Sequence, residues 1–302
     1  MQTLYAMQQN NSDQIQSGEK FLIHSVENIR ELYLLMLTAL IEIKRKEEEY
    51  ISISQKKHLA TIEERNPNIK FISNRVLNLL TNSVSISTKT EEMGMKQWQI
   101  HDNYIVMLLD KIKASDLYKK YMNHKDSSFI EDKQFVIDIF TAIIAPDEKI
   151  YSFLEDSRLT WLDDLPLVNT MIQKQLRQLR DTDNQLLVPK LYKDIEDKDF
   201  AINLYRKTIL NYKELTTEFK DKTPNWDPER IAEIDTIILR MAICEILKFS
   251  SIPVKVTINE YLEIAKEYST PKSSIFINGI LDNISKNYEK EGKLNKIGKG
   301  LL

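Results

Sequence analysis

The sequence predicts an all-α protein, and three observations carry the prediction. Only six glycines occur in 302 residues, at 18, 94, 279, 292, 298 and 300, which leaves little material for glycine-dependent turns or phosphate-cradling loops. Apolar residues recur at spacings of three and four over most of the length, the period of one helix face. Capping residues and prolines stand mainly where those periodic stretches start and stop. A composition of 42% hydrophobic and 29% charged residues is that of an ordinary globular protein and excludes wholesale disorder. The length allows two domains or one enlarged helical body.

Met1 to Asn10 begins in the middle of an amphipathic pattern, with Met1, Leu4 and Tyr5 on one side and no capping residue ahead of it. A helix that starts uncapped and in phase looks truncated. Glu19 to about His58 reads as a long helix through Leu22, Val26, Ile29, Tyr33, Met36, Leu37, Leu40 and Ile43. Its far end, KRKEEEY, is polar on nearly every side and is expected to project into solvent. Glu64 to Lys70 reads as a turn, and Asn74 to Leu80 as the start of another apolar face. Trp98 to Leu117, Ser127 to Ala145 and Asn169 to Leu179 read as helices, the later two stopped by Pro146 and the Asp-rich turn at Asp181. No fixed-period repeat or low-complexity segment emerges.

From Asp197 the pattern is clearest. Phe200, Leu204, Ile209, Tyr212 and Leu215 supply one face, ended by Pro224. Asp227 is a good N-cap with Pro228 at the first helical position. The helix they open carries a broad stripe of Ile231, Ile234, Ile238, Met241, Ala242 and Leu247, expected at the centre of a core. Thr257 and Glu260 form a capping-box pattern for the next helix, which faces inward through Ile258, Tyr261, Leu262, Ala265 and Tyr268. Thr270 and Pro271 open the last one, with Phe276, Ile277, Ile280, Leu281 and Ile284. Gly279 inside it costs about 1 kcal/mol relative to alanine, which points to close approach of another helix backbone.

Charge and motifs narrow the function. Net charge is −3 with a pI of about 6.0, yet from Arg240 onward ten Lys or Arg face seven Asp or Glu. A local RNA site is allowed, although scattered solvated lysines explain the same count. Cys244 is the only cysteine and lies in the apolar run MAICEIL, the setting of a buried small hydrophobe in a reducing compartment. No apolar stretch nears the roughly 18 residues of a membrane span and no signal peptide is apparent, so a cytoplasmic protein is expected. The four histidines are isolated, and no metal-ligand, nucleotide-loop or nucleophile-elbow motif occurs. Neither enzyme chemistry nor a metal or cofactor is expected. Asp163 and Asp164 read better as part of a turn entering a helix than as an acid–base pair.

One local feature suits an anion. Thr270-Pro271-Lys272-Ser273-Ser274 puts a lysine and three hydroxyls at a helix start, where the dipole favours negative charge by roughly 0.3–1 kcal/mol. Phe276 follows and could stack on an unpaired base. A threonine cap, a solvated lysine and a core phenylalanine account for the same residues.

Three ordered blocks then carry a family resemblance. They are Asp235 to Leu247 with Ile238-Leu239-Arg240, Ile252-Pro253-Val254-Lys255-Val256-Thr257-Ile258-Asn259-Glu260 through Ala265-Lys266, and Phe276-Ile277-Asn278-Gly279-Ile280-Leu281-Asp282. Together they resemble the C-terminal half of the NusB transcription antitermination family, and Met1-Gln2-Thr3-Leu4-Tyr5-Ala6 looks like that family's first-helix pattern. The resemblance implies a NusB-like helical bundle with additional helices inserted in its N-terminal half. By number, it implies N-terminal helices over 1–45, an insertion over 46–194, a C-terminal module over 195–290 and a flexible tail over 291–302. It also implies no catalysis, and pairing with NusE, the ribosomal protein S-ten, to hold boxA segments of nascent ribosomal RNA within the RNA polymerase antitermination complex.

Carried over by position, the resemblance puts Gln2, Tyr5, Lys272, Ser273, Ser274 and Phe276 in the RNA-facing region and makes Asp235 an acidic contact for NusE. Lys255 and Lys266 match motif lysines of structural character. Arg240 also matches, and is expected to brace a buried carboxylate such as Glu245 or Glu260. The family's arginine-rich segment before the first helix has no counterpart here, which fits either a start placed late, favoured by the uncapped first helix, or a protein that lacks this phosphate-contacting arm. Two other readings remain in view. A protein–protein scaffold that has lost RNA binding fits the acidic remainder, while an RNA methyltransferase fusion lacks its cofactor loop and catalytic cysteine in the 16 residues after Lys286.

Overall fold

The structure is a computed structural model describing residues 1–10, 14–124, 128–220 and 231–297. Among the described residues all regular structure is helical, as the glycine-poor periodic sequence predicts. Helix α1 spans Gln2–Gln9 and α2 spans Ile15–Gln55. The chain divides into two compact units, one of Ser25–Leu191 and one of Met1–His24 with Tyr192–Leu302. The insertion expected over 46–194 therefore compares with a unit that begins at 25, because Leu32 to Ile43 of α2 build that unit's core.

Within Ser25–Leu191 the chain adds α3 (Ile62–Arg65), α4 (Arg75–Thr81), α5 (Val84–Glu92), α6 (Gln97–Ile100), α7 (Asp102–Ala114), α8 (Asp116–Asn123), α9 (Phe129–Ile139), α10 (Glu148–Ser157) and α11 (Trp161–Gln178). Leu32 through Leu37 are all buried, so this part of α2 is surrounded rather than amphipathic. Asn74 caps α4 by accepting from the N–H groups of Val76 and Leu77, and its amide donates to Tyr121 Oη and the Asp132 carbonyl. Tyr121 donates to Asp132 Oδ1 at 2.6 Å and the Arg75 N–H to Oδ2 at 3.0 Å, so the buried carboxylate has a partner on each oxygen.

Several expectations for this unit are corrected. The KRKEEEY end of α2 projects into solvent only in part: Arg45, Glu49 and Tyr50 are exposed, whereas Lys44 is 4% and Glu47 6% exposed. Lys113 of α7 pairs with Glu47 at 2.8 Å and Asp102 with Lys46 at 2.9 Å, so partners distant in sequence cover the charges. The helix expected over Trp98 to Leu117 is three, broken at His101 and at Ser115, whose hydroxyl caps α8. α9 closes in a π-helical turn, Phe140–Ile144. α11 starts at Trp161 rather than Asn169, with Asp163 and Asp164 in its first turn, where the helix dipole favours carboxylates.

The other unit adds α12 (Ile195–Leu210), α13 (Tyr212–Lys220), α14 (Glu233–Lys248), α15 (Val254–Tyr268) and α16 (Ser273–Lys290). α14 is its axis, packed by α1, α12, α13, α15 and α16 and buried from Ile237 through Ile246. Cys244 is fully buried, and burial pushes its thiol pKa up. Asp227 and Pro228, expected to open α14, lie outside the described residues, as does Pro224.

Here too the structure differs from local expectation. Thr257 does not cap α15, which begins at Val254; its hydroxyl donates to Glu245 Oε1 at 2.7 Å, while Tyr261 donates to Oε2 at 3.0 Å. Gly279 has nothing within 4 Å of the place a Cβ would occupy, so no backbone packs there. The close approach is at Gly18 of α2, where a Cβ would lie 1.9 Å from Tyr205 Oη and 2.8 Å from Met7 Sδ. Of the tail expected over 291–302, residues 291–297 are described, and the Ile297 N–H donates to the Ser250 carbonyl at 2.9 Å. Lys296 donates to the Phe249 carbonyl at 2.9 Å and covers the C-terminal end of α14. No helix among the described residues is long and apolar enough to cross a membrane.

Candidate nucleic-acid interface

The first turn of α14 holds two carboxylates, Glu233 and Asp235, and each fastens a different piece of chain. Asp235 is 4% exposed. Ser269 donates to its Oδ1 at 2.6 Å and Ser273 to its Oδ2 at 2.7 Å. The two serine hydroxyls are 3.0 Å apart, and Thr270 Oγ1 lies 2.8 Å from Ser273 Oγ. A buried carboxylate is stable only with such donors, so the requirement fixes the Ser269–Ser273 turn, and with it the start of α16, against α14.

Glu233 fastens α1. The side-chain amides of Gln8 and Gln9 both donate to its carboxylate. Two turns further along α14, Arg240 donates from Nη1 to Gln8 Oε1 at 3.0 Å and from Nε to Thr216 Oγ1 at 2.9 Å, and its guanidinium lies 3.8 Å from the Tyr212 ring centroid. Burial lowers its pKa. The expectation that Arg240 braces Glu245 or Glu260 is thus corrected: it joins α14 to α1 and α13, while Glu245 is held by the hydroxyls of Thr257 and Tyr261.

The residues expected to face RNA separate into two groups. Gln2 and Lys272 are exposed, and Tyr5, Ser274 and Phe276 are half-buried, with Tyr5 and Phe276 packed on the same core. Ser273 is 3% exposed and its hydroxyl is engaged by Asp235. Ser273 and Asp235 therefore position the tip and do not present themselves at the surface, because a buried acid consumes the hydroxyl. Lys255 and Lys266 are exposed, the latter paired with Glu263 at 2.6 Å.

Sequence reasoning missed Gln8, Gln9, Thr216, Tyr212, Glu233 and Ser269 as members of this assembly. The available signal was polar residues on otherwise buried helix faces, since such groups need partners. In the other unit Asp164 is pushed up to about 6 by burial and by Asp163. Among the described residues no cluster of three or more His, Cys, Asp or Glu is arranged to hold a metal ion.

With the last turn of α1 and the start of α16 fastened to the first turn of α14, the likeness to known proteins has a structural setting. The NusB family sequence profile matches residues 158–286. The transcription antitermination protein NusB of Salinibacter ruber is 44% identical over 112 residues, 37% of this chain and 70% of that protein. That of Dictyoglomus turgidum is 48% identical over 98 residues, 32% of this chain and 67% of that protein. That of Chloroherpeton thalassium is 43% identical over 109 residues, 36% of this chain and 52% of that protein. Among solved structures, T. maritima NusB is 30% identical with a TM-score of 0.31, over 41% of this chain and 80% of that one. The chain belongs to the NusB family. It is a long member, with about two thirds of its residues outside the segment aligned to each relative.

Proposed function

We propose that the chain is an RNA-binding transcription antitermination factor that acts in the cytoplasm with NusE, binding boxA-type sites in nascent ribosomal RNA within the RNA polymerase antitermination complex and performing no catalysis of its own. The reading rests on the anchoring of α1 and the α16 tip to the same turn of α14, through Glu233 and Asp235. Gln2 and Tyr5 lie on α1, which is held there through Gln8 and Gln9 of its last turn, and Lys272, Ser274 and Phe276 lie at the start of α16, with Tyr5 and Phe276 packed on the same core. A cation, hydroxyl and amide groups and two aromatic rings suit an unpaired strand, which is bound through its phosphates and the faces of its bases.

In this reading Lys272 contacts phosphate, Phe276 and Tyr5 stack on bases, and Gln2 and Ser274 supply hydrogen bonds. Asp235 and Ser273 hold the tip in place. Replacing Phe276→Ala should weaken RNA binding by about 1–3 kcal/mol, the range for losing one base–aromatic stack. Lys272→Glu should weaken it further at low salt. Unchanged RNA affinity in both variants, with the fold intact by circular dichroism, would remove the basis of the assignment.

A further inference from the structure

Helices α1, α13 and α14 enclose a cleft of about 410 Å³ whose lining includes Gln8, Tyr212, Thr216, Lys220, Glu233 and Arg240. Its chemistry is of two signs. Arg240 is 6% exposed, and among the described residues it meets the side chains of Thr216 and Gln8 and both the hydroxyl and the ring of Tyr212, with the charge of Glu233 near it. A guanidinium has five N–H donors, more than these three oxygens use. Glu233 receives the amides of Gln8 and Gln9, and carboxylate oxygens accept more than one bond each. Gln8 touches both charged groups, its nitrogen donating to Glu233 and its oxygen accepting from Arg240, so their separation is fixed.

A simple anion entering this cleft would meet Glu233, and a simple cation would meet Arg240. A planar ring with acceptors on one edge and donors on the next would satisfy both. Among nucleobases guanine has that arrangement, with O6 and N7 as adjacent acceptors suited to an arginine fork and N1–H and N2–H₂ as adjacent donors suited to a carboxylate. Cytosine offers a single donor group. Tyr212, 41% exposed at the rim, supplies an aromatic surface for the ring.

We propose that this cleft receives one unstacked guanine of the bound strand, an inference that rests on the RNA-binding reading above and gives it a specificity-determining subsite. The test uses the full chain and fluorescence anisotropy with uridine tracts of one length, carrying at one position guanine, inosine, adenine, cytosine or uridine. Guanine should tighten binding about tenfold or more over uridine. Inosine, which lacks the N2 amine, should give back part of that gain, and adenine and cytosine should give none of it.

In Glu233→Gln the guanine-to-uridine ratio should collapse toward one. Because the nucleobase changes are made on the RNA, they cannot unfold the protein. Equal binding of all five RNAs, or preference for cytosine, would overturn the guanine subsite and leave the RNA reading standing. Absence of binding to any RNA would overturn both.

Discussion

Ser273 and Asp235, 38 positions apart, meet through their side chains at 2.7 Å in a buried pair that decides where α16 begins. Asp235 opens the first of the three sequence blocks that carry the family resemblance and Ser273 stands just before the third, so the pair gives a positioning role to residues that the sequence placed at a surface. Ser273→Ala should destabilise the protein by about 1–2 kcal/mol, since one buried donor to a charged acceptor is lost while Ser269 remains on the other oxygen. Urea unfolding measures this. An unchanged midpoint would mean that the hydroxyl contributes nothing to holding the turn.

The two glycines on helices in the Met1–His24 and Tyr192–Leu302 unit should respond in opposite directions. Gly279 lies in the interior of α16 with open space where a side chain would go, so Gly279→Ala should stabilise by up to about 1 kcal/mol through helix propensity alone. Destabilisation on thermal unfolding would show that some neighbour needs the space.

At Gly18 the Cβ of an alanine would collide with the Tyr205 hydroxyl at 1.9 Å. Gly18→Ala should cost about 1–3 kcal/mol as overpacking. Adding Tyr205→Phe should recover part of that loss by removing the colliding oxygen, a coupling measurable in a double-mutant cycle. Strict additivity of the two substitutions would contradict the contact.

Asp164 gives a pH dependence with a definite sign. Its carboxyl is raised from 3.8 to about 6 by burial and then by the charge of Asp163. The folded state therefore binds this proton more tightly than the unfolded chain does. The resulting stabilisation is fully present below about pH 3.8 and is lost as pH rises through about 6. Asp164→Asn never ionises, so its stability relative to the natural protein should rise between pH 4 and 7 by about 1–2 kcal/mol, a figure already reduced for solvent screening at a partly exposed group. A difference that stays flat over that interval would place the titration elsewhere.

The helices were legible wherever one face was continuously apolar. α14 and its stripe through Ile238 and Ala242, the burial of Cys244 and the inward face of α16 through Ile277 and Ile284 follow from spacing alone. Misreadings arose where a polar residue finds its partner far along the chain. Thr257 resembles a cap in sequence, yet Glu245 from the neighbouring helix takes its hydroxyl. KRKEEEY resembles a solvated end, yet Lys113 and Asp102 neutralise two of its charges. Arg240 was recognised as buried and braced, but a local pattern has no means of naming Gln8, 232 positions away, as its partner. The candidate site was legible to the same degree: its exposed members stand in the motifs, whereas the clasp that arranges them appears only in three dimensions.

The most direct test of the account is the affinity of boxA-type RNA for the full chain, measured with and without NusE over a range of salt concentrations. Binding should tighten when NusE is present and weaken as salt rises, with Lys272→Glu flattening the log–log slope by about 0.7 for the loss of one phosphate contact on single-stranded RNA. Equal affinity in the presence and absence of NusE, with no response to Lys272→Glu, would contradict it.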